Sequence, residues 1–135
     1  MAETFQLEIV TPAKQVVKDV AAEEAQIPGQ NGYLGVLPGH APLITELKAG
    51  ALTYRASGST YTLSVAWGFA EVLPEKVTIL AETAERPQDI DVARAEKAKA
   101  RAEERLKSGN PEVDYERAEE ALERAEARLK VAAEK

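Results

Sequence analysis

The chain has 135 residues, of which 17 are basic and 23 acidic, giving a formal net charge of −6 at pH 7. This length suits one compact domain or a small domain with an appendage, and the acidic balance argues against a nucleic-acid binder, whose surface would be basic. The absence of cysteine excludes disulfides, thiolate catalysis and cysteine zinc sites.

The first part of the chain, residues 1–84, shows the pattern of short β-strands. Apolar and polar residues alternate over residues 5–9, the period of a half-buried strand. The predicted strands are residues 5–9, 16–20, 22–27, 33–37, 43–47, 51–55, 60–65, 69–73 and 77–81. Short strands separated by turn clusters indicate a β-sandwich or barrel. Residues 1–14 lack the features of a signal peptide, and we expect no direct membrane insertion.

The second part, residues 88–135, is rich in charged residues and alanine, which favours helices. The first helix is predicted from about residue 90 to 107, with Asp89 as its N-cap and Asp91 favourable to the helix dipole. Asn110 and Pro111 suit the start of a second helix. The predicted fold is therefore α+β in two parts: an all-β sandwich at 1–86 and an antiparallel two-helix hairpin at 87–135. Alanine buries little area, so we expect a weakly packed hairpin that can move.

The sequence contains none of the common motifs for catalysis or phosphate binding. There is no GxxxxGK[ST] or GxGxxG loop and no Gly-x-Ser-x-Gly turn. The single histidine, His40, is a poor candidate for a catalytic triad or a metal cluster. We therefore expect no catalytic residues, no metal site and no enzymatic activity of the chain by itself.

Four arginines form two pairs, and the two members of each pair lie on one face of the same predicted helix. Arg94 and Arg101 lie seven residues apart, within about 20° on one helix face, and Arg124 and Arg128 are i,i+4 neighbours. A closed hairpin can bring them together, and guanidinium groups bind phosphate oxygens bidentately. The pattern alone favours a plainer interpretation, in which they form surface ion pairs. The candidate partners are Glu96, Glu120 and Glu123.

Four segments together resemble the epsilon subunit family of bacterial F-type ATP synthases. They are LEIVTPAKQVV at 7–17, NGYLGVLPGHAPLIT at 31–45, WGFAEVLPEKVTILAETAER at 67–86 and DIDVARAEKAKARAEERL at 89–106. The resemblance implies a sandwich that binds the gamma subunit of the rotor stalk and the ring of c subunits, helping to couple proton translocation to ATP synthesis. It also implies a peripheral position on the cytoplasmic face of the bacterial cell membrane.

For the hairpin, the resemblance implies a regulatory role. In many bacterial members the hairpin extends along gamma to the alpha and beta subunits and inhibits ATP hydrolysis, and in some ATP binds the folded hairpin. No cofactor is required, and ATP is expected as a regulatory ligand. The residues that match the family's ATP site are Glu85, Ile90, Asp91, Arg94, Ala95, Arg101, Arg124 and Arg128. The expected c-ring or gamma interface residues are Asn31, Tyr33, His40 and Trp67.

The chain departs from the family pattern at two interface positions. Tyr33 stands where many members have a glutamate facing the c-ring. Trp67 stands where many have glycine, and packing in the core is the alternative to a gamma contact for its side chain. Glu123 and Glu126 flank the arginines of the second helix and are potential competitors of a phosphate for these arginines.

Two other functions stay open. One is a free sensor that reports ATP without gamma, and the other is a purely structural coupling subunit whose hairpin never opens.

Overall fold

The computed structural model describes residues 3–134 as eight strands followed by two helices. The strands are β1 (Phe5–Val10), β2 (Gln15–Ala22), β3 (Glu24–Gly29), β4 (Gly32–Val36), β5 (Leu43–Leu47), β6 (Gly50–Ala56), β7 (Ser59–Val72) and β8 (Lys76–Glu85). A single 3₁₀ turn, Pro87–Asp89, leads to α1 (Val92–Lys107) and α2 (Tyr115–Ala132). The predicted sandwich followed by a two-helix hairpin is confirmed. No helix in residues 3–134 has the length and hydropathy needed to cross a membrane.

The strands surround one apolar core. Their order is β2-β1-β8-β7-β5-β3-β4, and β6 pairs with both β3 and β7. Among the strand pairs within residues 3–134, β1–β8 alone is parallel and the others are antiparallel. Because β5 and β6 each pair with β3 and β7, the sheet folds over itself into two layers. The core side chains with no exposed surface include Leu7, Ile9, Ile27, Leu52, Leu63 and Ile79.

Strand β7 corrects one prediction from the sequence. Residues 60–65 and 69–73 were expected as separate strands, but Ser59–Val72 is one strand whose first half pairs with β6 and whose second half pairs with β5. Trp67 and Gly68 join the halves with φ of 55° and 120°. A Cβ on Gly68 would lie 1.9 Å from the Leu80 carbonyl oxygen, so only glycine allows this close approach.

Both predicted helix starts are wrong by a few residues. Asp91, not Asp89, caps α1, and its Oδ1 accepts a hydrogen bond from the Arg94 backbone N–H at 3.1 Å. Asp89 instead ends the 3₁₀ turn. Helix α2 begins after Asp114, whose Oδ1 accepts from Arg117 N–H at 3.1 Å, rather than at Asn110. In both helices an Asp three residues before an Arg forms the cap, because its carboxylate reaches the third amide.

The hairpin attaches to the sandwich through α2. Helix α2 contacts β6 and β7, and its buried Val131 and Ala132 form a small apolar cluster with Ala51 and Ile90. The only buried residues of α1 are Ala95 and Ala102. The apolar contact between the hairpin and the sandwich is therefore small, and the two helices pack largely through alanine.

Candidate functional site

A cavity of about 490 Å³ lies between the two helices and the end of β8. The small side chains of the helix faces leave space there, because Ala95 and Ala98 of α1 lie opposite Ala121 and Ala125 of α2. Charged residues surround these four alanines. The charged lining residues are Glu85, Asp89, Asp91, Arg94, Lys97, Arg101, Arg124 and Arg128. We call this space the interhelical cavity.

The structure brings together seven of the eight residues that the resemblance implies for an ATP site. Glu85 comes from β8, Asp91 precedes α1, and the other charged members come from both helices. Ile90 is the exception: it is 5% exposed and packs in the apolar cluster beneath the hairpin, so it does not line the cavity. Ile90 therefore supports the junction, while the others surround the space.

The cavity has a positive formal charge in an acidic protein. Its lining contains five cations and three carboxylates, a balance of +2, against −6 for the whole chain. Within residues 3–134, no carboxylate oxygen lies within 4.0 Å of the charged nitrogens of Arg94, Arg101 or Arg124. The surface pairing with Glu96, Glu120, Glu123 or Glu126 considered from the sequence is not formed. Unpaired guanidinium groups at one cavity favour an anion between them.

Arg128 differs from the other three arginines because it has a partner. Its Nε donates to Glu85 Oε1 at 2.5 Å, and both side chains are about one-third exposed (29% and 31%). This ion pair joins β8 to α2 across 43 positions of the chain. The hydrogen bond of this pair is donated by Nε. Glu85 thus anchors the hairpin and orients Arg128 at the cavity.

The four expected interface residues do not form one site, and none lines the interhelical cavity. Asn31 is exposed in the turn between β3 and β4. Tyr33 is 56% exposed, and its hydroxyl oxygen accepts a hydrogen bond from Ala51 N–H at 3.2 Å. His40 is half-buried, with Nδ1 2.7 Å from the carbonyl oxygen of Ala41. Trp67 lines a shallow depression beside α2.

The sequence interpretation missed two features of the surface. Asp89 and Lys97 also line the interhelical cavity; Lys97 follows Arg94 by three residues, so helical spacing alone indicated its position. An exposed apolar patch on β5, β7 and β8 was also missed. It comprises Ile44, Phe69 and Leu80, which are 68%, 51% and 53% exposed. Consecutive apolar residues in these strands were the available signal, since one of each pair must face outward.

No clustering of potential metal ligands is found in the part of the chain that the structure describes: no three His, Asp or Glu side chains there are placed to hold an ion. The interhelical cavity has carboxylates at one end and unpaired cations along the helices. Such an arrangement suits a ligand with hydrogen-bond donors at one end and several negative charges at the other.

Two family models together match almost the whole chain. The model described as "ATP synthase, Delta/Epsilon chain, beta-sandwich domain" matches residues 4–87, and "ATP synthase, Delta/Epsilon chain, long alpha-helix domain" matches residues 88–133. An ATP synthase epsilon chain of Koribacter versatilis is 69% identical over 112 residues, covering 83% of this chain and 78% of its own length. That of Desulfosudis oleivorans is 52% identical, covering 81% and 82%.

Solved structures show a similar fold. A chain in the mitochondrial ATP synthase of Euglena gracilis, in a structure of OSCP, F1 and the c-ring, has a TM-score of 0.84 and 26% identity, over 97% of this chain and 82% of that one. A chain in the central stalk and c-ring of the Tetrahymena thermophila mitochondrial enzyme has a TM-score of 0.60 and 15% identity, over 97% and 95%. The second likeness concerns the fold alone.

Proposed function

The chain belongs to the ATP synthase delta/epsilon chain family, and from this premise we propose a role for each of its two parts. It is a non-catalytic subunit of the ATP synthase central stalk, of the epsilon type. We assign residues 1–86 to attachment and coupling, and residues 87–135 to regulation. The subunit sits peripherally on the cytoplasmic face of the cell membrane, held there by its partners, and helps couple proton translocation to ATP synthesis.

The sandwich binds the gamma subunit and the c-ring. The apolar patch of Ile44, Phe69 and Leu80 supports this, because a contiguous apolar patch on a sheet face commonly marks a protein interface. Phe69 and Leu80 are directly opposite each other in the β7–β8 ladder. We assign this patch to gamma, and the exposed end of the β3–β4 hairpin, which carries Asn31 and Tyr33, to the c-ring loops. Because Tyr33 carries no charge, the contact with the c-ring loops depends on packing and hydrogen bonding rather than on an ion pair.

The apolar patch is tested by Phe69→Ser with Tyr61→Ser as control. Tyr61 is a similarly exposed aromatic residue of the same strand, 42% against 51%, outside the patch. Removing a half-exposed phenylalanine from a buried interface costs about 2 kcal/mol, which weakens binding about thirtyfold. The measurement is titration of the full chain with purified gamma subunit. Equal affinities of the two variants for gamma contradict the assignment.

The interhelical cavity binds ATP. The single observation that carries this proposal is that unpaired arginines from both helices line one space, with Arg94 and Arg101 on α1 and Arg124 on α2. The carboxylates lie at the sandwich end, where they accept hydrogen bonds from ribose hydroxyls or the adenine amino group. The phosphates extend away from these carboxylates and along the cations. Asp91 holds the start of α1 in place, because its carboxylate already caps the helix.

ATP stabilises the closed hairpin over the open one. A ligand shifts a conformational equilibrium only by its difference in affinity for the two states, and this site exists only when α1, α2 and β8 are together. At a concentration one hundred times the dissociation constant, binding contributes about 2.7 kcal/mol to closure. Without ATP the weakly packed hairpin opens, extends along gamma to the alpha and beta subunits, and inhibits ATP hydrolysis.

Two measurements test this function. Calorimetric titration of the full chain with ATP should give saturable heat, and no heat at millimolar ATP would remove the ligand site while leaving the stalk role. ATP hydrolysis by the assembled enzyme, with and without residues 88–135, tests the inhibition. Higher hydrolysis without the hairpin supports it, whereas unchanged hydrolysis identifies a purely structural subunit. A chain that closes on ATP yet forms no complex with gamma would instead be a free sensor.

A further inference from the structure

Lys97 is a cation of the interhelical cavity that the family's ATP motif does not include. It lies between Arg94 and Arg101 along α1 and lines the cavity with both. Spacings of three and four residues place the three side chains on one helix face. In the described chain, Lys97 Nζ has no carboxylate oxygen within 4.0 Å. Lys97 is therefore a positive charge at the interhelical cavity that has no ion pair within the described residues.

The charges of the cavity are ordered along the helix axis. The carboxylates of Glu85, Asp89 and Asp91 all come from the segment before α1, at the sandwich end. The cations of α1 follow over the next turns, and Arg94 and Arg101 are about 10 Å apart along the axis at 1.5 Å per residue. Lys97 lies one turn beyond Arg94. On α2, Arg124 lies one turn farther from the sandwich end than the Glu85-bound Arg128.

This order determines how a chain of phosphates lies in the cavity. The carboxylates repel phosphate, so the end of a nucleotide that carries its hydroxyls faces them and the phosphates run toward Arg101. The first phosphate then lies nearest Arg94 and Arg128, and each added phosphate lies farther along α1. The last phosphate of a triphosphate meets Lys97, Arg101 and Arg124, whereas a diphosphate ends before it has all three as partners.

We propose that Lys97 is a further phosphate-binding residue of this cavity and contacts the terminal phosphate of a nucleoside triphosphate. The inference rests on the proposed ATP site and adds one residue to it. The flexible ammonium group of lysine suits this position, because it follows a phosphate as a compact point charge without a fixed bidentate geometry.

The test is calorimetric titration of three full-length proteins with ATP and, separately, with ADP. The proteins are the unmutated chain, Lys97→Ala and Lys99→Ala. Lys99 is the matched control, because it belongs to the same helix, carries the same charge and does not line the cavity. Alanine has high helix propensity, so neither change disturbs α1. A fourth protein, Lys97→Arg, keeps the charge.

Lys97→Ala should lower ATP affinity about tenfold and ADP affinity less than about threefold, since one charge-assisted contact is lost from the terminal phosphate alone. Lys99→Ala should change neither affinity, and Lys97→Arg should keep the ATP affinity. If Lys97→Ala leaves the ATP-to-ADP affinity ratio unchanged while the unmutated chain binds ATP, the role of Lys97 is wrong and the ATP site stands. If the unmutated chain binds no ATP, both are wrong.

Discussion

Replacing Arg124 by alanine removes a cation from the interhelical cavity without breaking an ion pair within residues 3–134. Its guanidinium has no ion pair among the described residues. A hydrogen bond to a charged group contributes about 1.5–3 kcal/mol. Because Arg124 is half-buried, solvent reduces this to the lower part of the range. We therefore expect a loss of ATP affinity of about 10- to 30-fold and an unchanged stability of the ligand-free chain.

Arg128→Ala should behave differently, because Arg128 pairs with Glu85 at 2.5 Å. The variant loses a phosphate ligand and also leaves a partly buried carboxylate unpaired. We expect a similar loss of ATP affinity and, in addition, about 1 kcal/mol less stability of the closed, ligand-free hairpin. The control is Arg117→Ala, on the same helix but outside the cavity, whose cap contact uses the backbone N–H and survives the change.

The two arginine variants are compared by calorimetry with ATP and by hydrogen exchange of the α2 amides without it. Arg124→Ala should affect only the first measurement, and Arg128→Ala should affect both. Retention of ATP affinity within about threefold in Arg124→Ala would refute the placement of phosphate between the helices, because a ligand there cannot avoid this side chain. Faster α2 exchange in both variants would refute the special role of the Glu85 pair.

Three further predictions concern stability. Val131→Ala removes two buried carbons and should weaken the docking of the hairpin on the sandwich by about 1.5–2 kcal/mol. We expect faster hydrogen exchange of the α1 and α2 amides and unchanged exchange of the strand amides. Equal acceleration in the strands would show that the hairpin does not open separately. Gly68→Ala places a Cβ 1.9 Å from the Leu80 carbonyl oxygen. The urea concentration at the unfolding midpoint should fall by the equivalent of about 3 kcal/mol. An unchanged midpoint would contradict the close approach of Gly68 to β8. Asp114→Ala removes the α2 cap and should lower stability by about 1 kcal/mol, measured by thermal unfolding. Its control is Glu119→Ala, which removes an exposed negative charge from the same helix.

Much of the site was accessible from the sequence because helical periodicity is local. A seven-residue spacing places Arg94 and Arg101 on one face whatever surrounds the helix. The same spacing rule applies to Lys97, which was nevertheless not predicted because no motif includes it. Periodicity does not show which residues of another element lie opposite a given helix face. The choice between surface ion pairs and a shared cavity was open until the structure showed Arg124 without a carboxylate partner.

Long-range contacts account for the predictions that failed. Trp67 and Gly68 have the composition of a break between strands, yet β8 pairs along both halves of β7 and keeps them in one strand. The chain has an aspartate at both 89 and 91, and either can cap a helix. The 3₁₀ turn at Pro87–Asp89 and the burial of Ile90 against Val131 and Ala132 leave that role to Asp91.

The sequence by itself determined the two structural classes and their order, since a period of two and a period of 3.6 are properties of neighbouring residues. It also determined which arginines share a helix face. Only the tertiary structure decided that Glu85 meets Arg128 across 43 positions, that Ile90 is buried beneath the hairpin, and that Ile44, Phe69 and Leu80 form one outer patch. Such contacts depend on how separate elements pack against each other, and no local pattern contains that information.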